Sequence, residues 1–183
     1  MANEKRQKTI ETILQAAVEC VNDEGLAGAT IRKIAQYAKV NSAAISYYFG
    51  SRDALIEKVM ESTLDNAFDF SDFTFSDDAD YKAVLKEILE HWKWGALSYP
   101  GITHAHFDDI INKHTGSETT LKRVNEFIYK TYEVLTQHGL DNTVLNFKKL
   151  KLIFSAFIAT ILIPDAAYPK GSQDQIDVLI DMF

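Results

Sequence analysis

Proline and glycine are scarce in this 183-residue chain, at three and eight copies, so long helices are expected over many short strands. Cysteine is scarcer still: Cys20 alone rules out an internal disulfide and fits a reducing compartment. Long apolar runs are missing too. The longest uncharged one, Leu152 to Ile163, is too short to cross a bilayer as a helix. The charged start MANEKRQKTIE has no apolar stretch of the kind a secretory signal needs. With 46% hydrophobic and 25% charged residues, the composition excludes a disordered or fibrous chain. The expectation is a soluble, cytoplasmic protein with no membrane partner, built as one large domain or a small one joined to a medium one.

Net positive charge is also absent, since the chain carries a formal charge of -7, which argues against a general nucleic-acid coat. The average hides a division. Residues 1–58 hold eight Lys/Arg against seven Asp/Glu, whereas the remainder holds eleven against nineteen. A weakly basic head on an acidic body suits a protein that touches a polyanion with one end only.

Helical periodicity fills most of the chain. Ile10, Ile13, Leu14, Ala17, Val18 and Val21 share one face of a first helix, and Gly25 stands where it should stop. Thr30 is placed to cap a second helix with Ile31, Ile34, Ala35 and Ala38 inward. Asn41 or Ser42 can cap a short third helix ending near Phe49, after which Gly50 breaks the chain and Ser51 caps a fourth helix, about 51–68. The acidic, aromatic stretch Asp69 to Asp80 reads as a loop or a frayed helix end. Helical spacing resumes at Tyr81, ends at Pro100-Gly101, and returns for about Ile102 to His114. Ser117 can cap the next helix, with Leu121, Val124, Phe127, Ile128 and Leu135 inward and His138-Gly139 at its end. A helix over about 143–163 and a last one from Ser172 complete the series, and the helical pattern is still running at Phe183, so further natural residues are expected. The expected fold class is all-α with about nine helices: a head over 1–50, a body over 51–183, and helix 51–68 connecting them.

Residues 31–50, IRKIAQYAKVNSAAISYYFG, fit a helix-turn-helix template. Two helices that cross steeply need a small residue at the contact, which Ala35 supplies, and apolar pins, which Ile34, Ala38, Val40, Ile45 and Tyr48 supply. The run TIRKIAQYAKVNSAAISYYFGSRDALIEKV resembles the N-terminal domain of the TetR family of transcriptional regulators. Thr30, Ile34, Ala35, Val40, Ile45, Phe49 and Leu55 match that family's pattern, and Arg52-Asp53 stands for its Lys-Glu. The resemblance covers about residues 8–62. Two departures are visible: Lys39 occupies the family's turn glycine, and Ser46 stands where many members carry a tyrosine.

The resemblance implies a set of contacts to double-stranded DNA. Lys5, Arg6 and Lys8 would form a mobile arm for phosphates or the minor groove. Thr30 and Arg32 would aim at a backbone phosphate, and Arg52 at another from the start of the next helix. Ala43 and Ala44 would let the recognition helix sit deep enough to touch a thymine methyl, with Ser42 and Ser46 as hydrogen-bonding neighbours. Tyr47 or Tyr48 would take over the phosphate contact of the missing tyrosine.

The resemblance also implies a small-molecule effector in the body and a homodimer through its last two helices. The sequence supports the dimer separately. If Val144, Leu145, Phe147, Leu150, Ile153, Phe154, Phe157, Ile158, Ile161 and Leu162 pack inward, the apolar remainder of that helix stays exposed in a monomer. An interface over about 143–163 and 172–183 follows. Trp92, Trp94, Tyr99, His104, Phe107, His114, Tyr129, Tyr132 and Phe154 are the candidates for the effector pocket, although buried aromatic and histidine residues are more often plain core. His104, His106, Asp108, Asp109 and His114 invite a metal, but only His104 and Asp108 meet at helical spacing, and two ligands do not close a site. No cofactor is expected, and no phosphate loop, nucleophile elbow or CxxC pair supports an enzyme. The expected function is a repressor released from a pseudo-palindromic operator by its effector. An activator, or a regulator that senses a protein partner, is the alternative.

Overall fold

The computed structural model describes residues 2–71, 73–113, 118–162 and 175–183, and among them nine helices and no strand form. The chain divides into two compact units, one comprising Met1–Asn66 with Tyr99–Ser117 and the other Ala67–Ser98 with Glu118–Phe183. By packing, the division therefore falls after Asn66, where the sequence alone suggested residue 50, and the helix that follows Tyr99 joins the N-terminal helices.

The first unit is built from α1 (Ala2–Gly28), α2 (Ile31–Ala38), α3 (Ser42–Phe49), α4 (Arg52–Ala67, all but its last residue) and α6 (Pro100–Lys113). Its core joins Ile13, Ala17, Cys20 and Val21 of α1 to Ile34, Ala35 and Ala38 of α2, Ile45 of α3, Leu55 and Val59 of α4 and Ile102 of α6. Gly25 breaks the helical conformation of α1 at φ 69°, ψ 170°, as its sequence position suggested. Pro100 begins α6 instead of ending α5: proline lacks only an N–H that the first helical turn leaves unused anyway. Gly101 lets α6 press against α1. Its N–H donates to Asn22 Oδ1 at 3.0 Å, and a Cβ there would fall 2.1 Å from the Asn22 carbonyl oxygen.

The second unit contains α5 (Tyr81–Ser98), α7 (Glu118–Gln137), α8 (Val144–Leu162) and α9 (Gln175–Asp181). Its core runs through Val84, Leu85, Ile88 and Leu89, Phe127, Ile128 and Leu135, then Leu150, Ile153, Phe154 and Phe157, and Ile176, Leu179 and Ile180. The described residues between α4 and α5 are non-helical, and Phe68, Phe70, Phe73 and Phe75 pack on this core while Asp69 and Ser71 stay exposed. His138 Nδ1 lies 2.9 Å from the Ala79 carbonyl, and Asp80 Oδ1 accepts from the Ala83 N–H at 2.8 Å to cap α5.

Three inward assignments need correction. Leu121 is exposed because Thr120 takes the inward position on the first turn of α7. Val144 and Leu145 are exposed because the face defined by Leu150, Ile153, Phe154 and Phe157 extends back through Phe147 and misses them by helical phase.

Candidate nucleic-acid interface

The α2–α3 pair is set by local signals before any long-range packing. Thr30 Oγ1 accepts from the Lys33 N–H at 3.3 Å and starts α2. The turn follows with Lys39 at φ 54°, ψ 39°, its N–H reaching the Gln36 carbonyl at 3.2 Å and the Val40 N–H reaching Ala35 at 3.0 Å. Asn41 Oδ1 then accepts from the Ala43 N–H at 2.9 Å to start α3, and Gly50 at φ 78° ends it. Ser51 Oγ accepts from the Ala54 N–H at 3.1 Å at the start of α4. Three side-chain caps and a left-handed turn thus fix the crossing.

Ile45 is fully buried beneath α3, so the opposite face must point outward. Ser42, Ala43, Ser46 and Tyr47 are exposed there, Tyr47 at 79%. Ala44 is half-buried. Tyr48 is half-buried too and packs on the core, with Tyr47 meeting it edge-on at 5.0 Å between ring centroids. Of the two tyrosines, Tyr47 is the one offered to a partner. The side chains along α3 carry no formal charge, so what it presents is small, hydroxylic and aromatic.

The cations around it divide into used and unused. Lys33 Nζ lies 2.5 Å from Glu24 Oε2, which ties α2 to the end of α1. Tyr37 donates to Asp23 Oδ2 at 3.1 Å in the same tie, and this bond holds its hydroxyl above the usual tyrosine range. Arg52, expected on a phosphate, donates from Nε to the Ala29 carbonyl at 2.8 Å and also to the Leu26 carbonyl. Arg32 and Lys39 are exposed. Lys5, Arg6 and Lys8 are exposed on the first turns of α1, so the arm expected to be loose is helical here. Sequence reasoning missed the ties Lys33–Glu24 and Tyr37–Asp23. Partners nine and fourteen residues apart on different helices leave no periodic signal.

The effector candidates are spread across both units. Tyr99, His104 and Phe107 belong to the first, where Tyr99 and His104 are exposed and Phe107 is half-buried. Trp92, Trp94, Tyr129, Tyr132 and Phe154 belong to the second. There Trp92 stacks on Phe127 at 4.8 Å and meets Phe154 edge-on at 5.7 Å, while its Nε1 donates to the Ala67 carbonyl at 2.8 Å. Tyr132 donates to the Thr143 carbonyl at 2.9 Å, whereas Trp94 and Tyr129 are exposed. His114 lies outside the described residues. His106, set aside with the metal reading, is half-buried: its Nε2 sits 2.9 Å from Thr63 Oγ1, and burial pushes its pKa down to about 4.

On the second unit, Val144, Leu145 and Leu152 of α8 and Val178 of α9 are exposed, with Met182 just past the end of α9. Lys148 and Lys151 lie among the α8 residues, so the face is apolar with a basic element. Part of the expected dimer segment, residues 163–174, lies outside the described residues. No helix among those described is long and apolar enough to cross a membrane.

Residues 13–59 match the family described as bacterial regulatory proteins, tetR family. Over 52 residues the chain is 46% identical to the HTH-type transcriptional regulator BetI 1 of Chromohalobacter salexigens, a match covering 28% of this chain and 26% of that one. Over 58 residues it is 40% identical to the HTH-type transcriptional repressor NicS of Pseudomonas putida, covering 32% of this chain and 27% of that one. The chain thus spans about a quarter of the length of these curated relatives. In fold it is similar to a TetR family transcription regulator from Marinobacter aquaeolei VT8, with a TM-score of 0.68 at 18% identity over 98% of this chain and 95% of that one.

Proposed function

We propose that this chain, whose residues 13–59 match the tetR family of bacterial regulatory proteins, is a homodimeric transcriptional repressor released from its operator by a small-molecule effector. The observation that carries this reading is the uncharged outward face of α3, Ser42, Ala43, Ser46 and Tyr47, raised over the fully buried Ile45. An eight-residue helix with short side chains fits the major groove closely, where Ala43 can meet a thymine methyl and the serines can hydrogen-bond base edges or phosphates. No arginine, lysine, asparagine or glutamine lies within α3 to fork onto guanine or adenine, so its base contacts are limited to methyl and hydroxyl groups. Ala44, Tyr48, Thr30 and Arg32 border the contact, and Lys5, Arg6 and Lys8 add phosphate contacts from α1. In a two-fold dimer the two α3 helices enter successive major grooves about 34 Å apart on a pseudo-palindrome.

Residues 1–50 read DNA, residues 51–183 hold the effector and the dimer contact, and α4 is the lever between those roles. The dimer forms through the exposed apolar residues of α8 and α9, with about 143–163 and 172–183 as its extent. Within the second unit, the aromatic residues Trp92, Trp94, Tyr129, Tyr132 and Phe154 supply the effector contacts. The effector releases DNA by binding the conformation unfit for the operator more tightly than the fit one. The likeness of its N-terminal residues to NicS, named a transcriptional repressor, supports repression over activation. Selection of duplexes from a random pool, followed by gel shift of the enriched sequence with wild type and Tyr47→Ala, tests the reading. Enrichment of a pseudo-palindrome that Tyr47→Ala holds about tenfold less tightly is expected.

A further inference from the structure

Lys39 is, among the described residues, the one non-glycine with positive φ. At φ 54°, ψ 39° its Cβ crowds the backbone, a conformation that glycine takes freely and asparagine tolerates. The geometry is imposed from both sides, because the Lys39 and Val40 N–H groups close the end of α2 on Gln36 and Ala35 while Asn41 is already capping α3. Strain of this kind persists where the surroundings over-determine it, and it gathers at functional positions. The side chain is exposed and makes no hydrogen bond or ion pair with another described residue. No contact among the described residues therefore explains a lysine at this turn.

The electrostatics of the neighbourhood supply a reason. The recognition helix carries no charge, Lys33 is engaged by Glu24, and Arg52 is engaged by the end of α1. Between residues 31 and 51 the cations left over are Arg32 and Lys39. Lys39 precedes Ser42 by three residues, so its Cα lies within about 11 Å of the first residue of α3, and a flexible four-carbon stem extends that reach. The major groove is about 12 Å wide between its phosphate walls. A helix seated in it brings the preceding turn to the wall.

We propose that Lys39 is an operator contact: its ammonium pairs with a backbone phosphate beside the half-site and supplies charge that α3 lacks. The proposal rests on the DNA-binding reading above. A phosphate contact positions the protein and strengthens binding on every sequence alike, so Lys39 sets affinity and leaves base preference to Ser42, Ala43, Ser46 and Tyr47.

The test is fluorescence anisotropy on the duplex that wild type enriches, between about 50 and 200 mM salt, with Lys39→Asn, Lys39→Gly and Lys39→Arg, beside the melting temperature of each. Lys39→Asn and Lys39→Gly should bind several-fold more weakly at low salt, with a salt slope shallower by about one per protomer. Both should melt at or above the wild-type temperature, since the turn is relieved, and Lys39→Arg should keep the slope. Unchanged affinity and slope in Lys39→Asn would overturn the proposal while leaving the DNA-binding reading intact. Weaker binding accompanied by lower melting in both uncharged variants would also overturn it, by making the lysine structural. A wild-type protein that enriches no duplex would remove both.

Discussion

Arg52 reaches back 23 residues to the end of α1, where its Nε donates to the Ala29 carbonyl at 2.8 Å. A second nitrogen serves the Leu26 carbonyl, and a third faces Asp53 Oδ1 at 3.0 Å. The carbonyls at a helix end lack partners within the helix, and a guanidinium supplies hydrogen bonds and a positive charge at once. The residue that the sequence assigns to DNA is thus first a clasp that holds α4 to the end of α1.

Arg52→Ala should therefore cost stability before it costs affinity. Two half-buried carbonyls lose a charged donor, worth about 2 kcal/mol in urea unfolding followed by circular dichroism. Arg52→Lys should recover only part of the loss, since an ammonium cannot fork to both carbonyls. An Arg52→Ala protein as stable as wild type would return this arginine to the phosphates.

Tyr47 should behave in the opposite way. It is 79% exposed and touches the protein through the edge of Tyr48, so Tyr47→Ala should change stability by less than about 0.5 kcal/mol. Its operator affinity should nevertheless drop about tenfold in a gel shift, at the scale of one good contact. Loss of stability without loss of affinity would mean that the outward face of α3 has been misread.

The contrast between these residues marks what the sequence makes legible. The boundaries of α2 and α3 are written locally: Thr30, Asn41, Gly50 and Ser51 each act within four residues of themselves, and all four lie at helix ends in the structure. Periodicity identifies Ile45 as buried and Tyr47 as exposed for the same reason. The Arg52 clasp and the ties of Lys33 and Tyr37 depend on how helices distant in sequence come together, which no spacing rule encodes. The stretch after α4 was legible as a loop, but not the packing of Phe68, Phe70, Phe73 and Phe75 on the core, because their spacing sustains neither a helical nor a strand period. The phase of α8 was misread at Val144 and Leu145 because the inward face set by Leu150, Ile153, Phe154 and Phe157 runs back through Phe147 and passes them by.

His106 makes the first unit sensitive to acid. Burial holds its pKa at about 4 against 6.5 in the unfolded chain, so the unfolded state takes up a proton that the folded state refuses. The stability linked to the neutral ring is fully present above pH 6.5 and is lost as the pH falls toward 4. The loss amounts to roughly 3 kcal/mol at most. His106→Gln, which can keep a hydrogen bond to Thr63, should flatten the stability curve in that window. A curve that stays parallel to wild type would show that other groups govern the acid response.

Leu152 is 63% exposed on α8, and Leu145 is 64% exposed two turns before it. In a dimer both are covered, so Leu152→Glu places a charge in an apolar contact and should yield monomers at micromolar concentration in light scattering. Circular dichroism should be little changed, because most of the Leu152 side chain is exposed. A dimer that survives the change would exclude this face of α8 from the contact.

Hydroxyl-radical footprinting of the purified protein on its enriched duplex addresses the central claim most directly. Two protected patches related by a pseudo-two-fold axis and separated by about one helical turn are predicted, and both should fade together with Tyr47→Ala. Failure to enrich any sequence, or protection that Tyr47→Ala leaves untouched, would contradict the assignment of α3 as the helix that reads DNA.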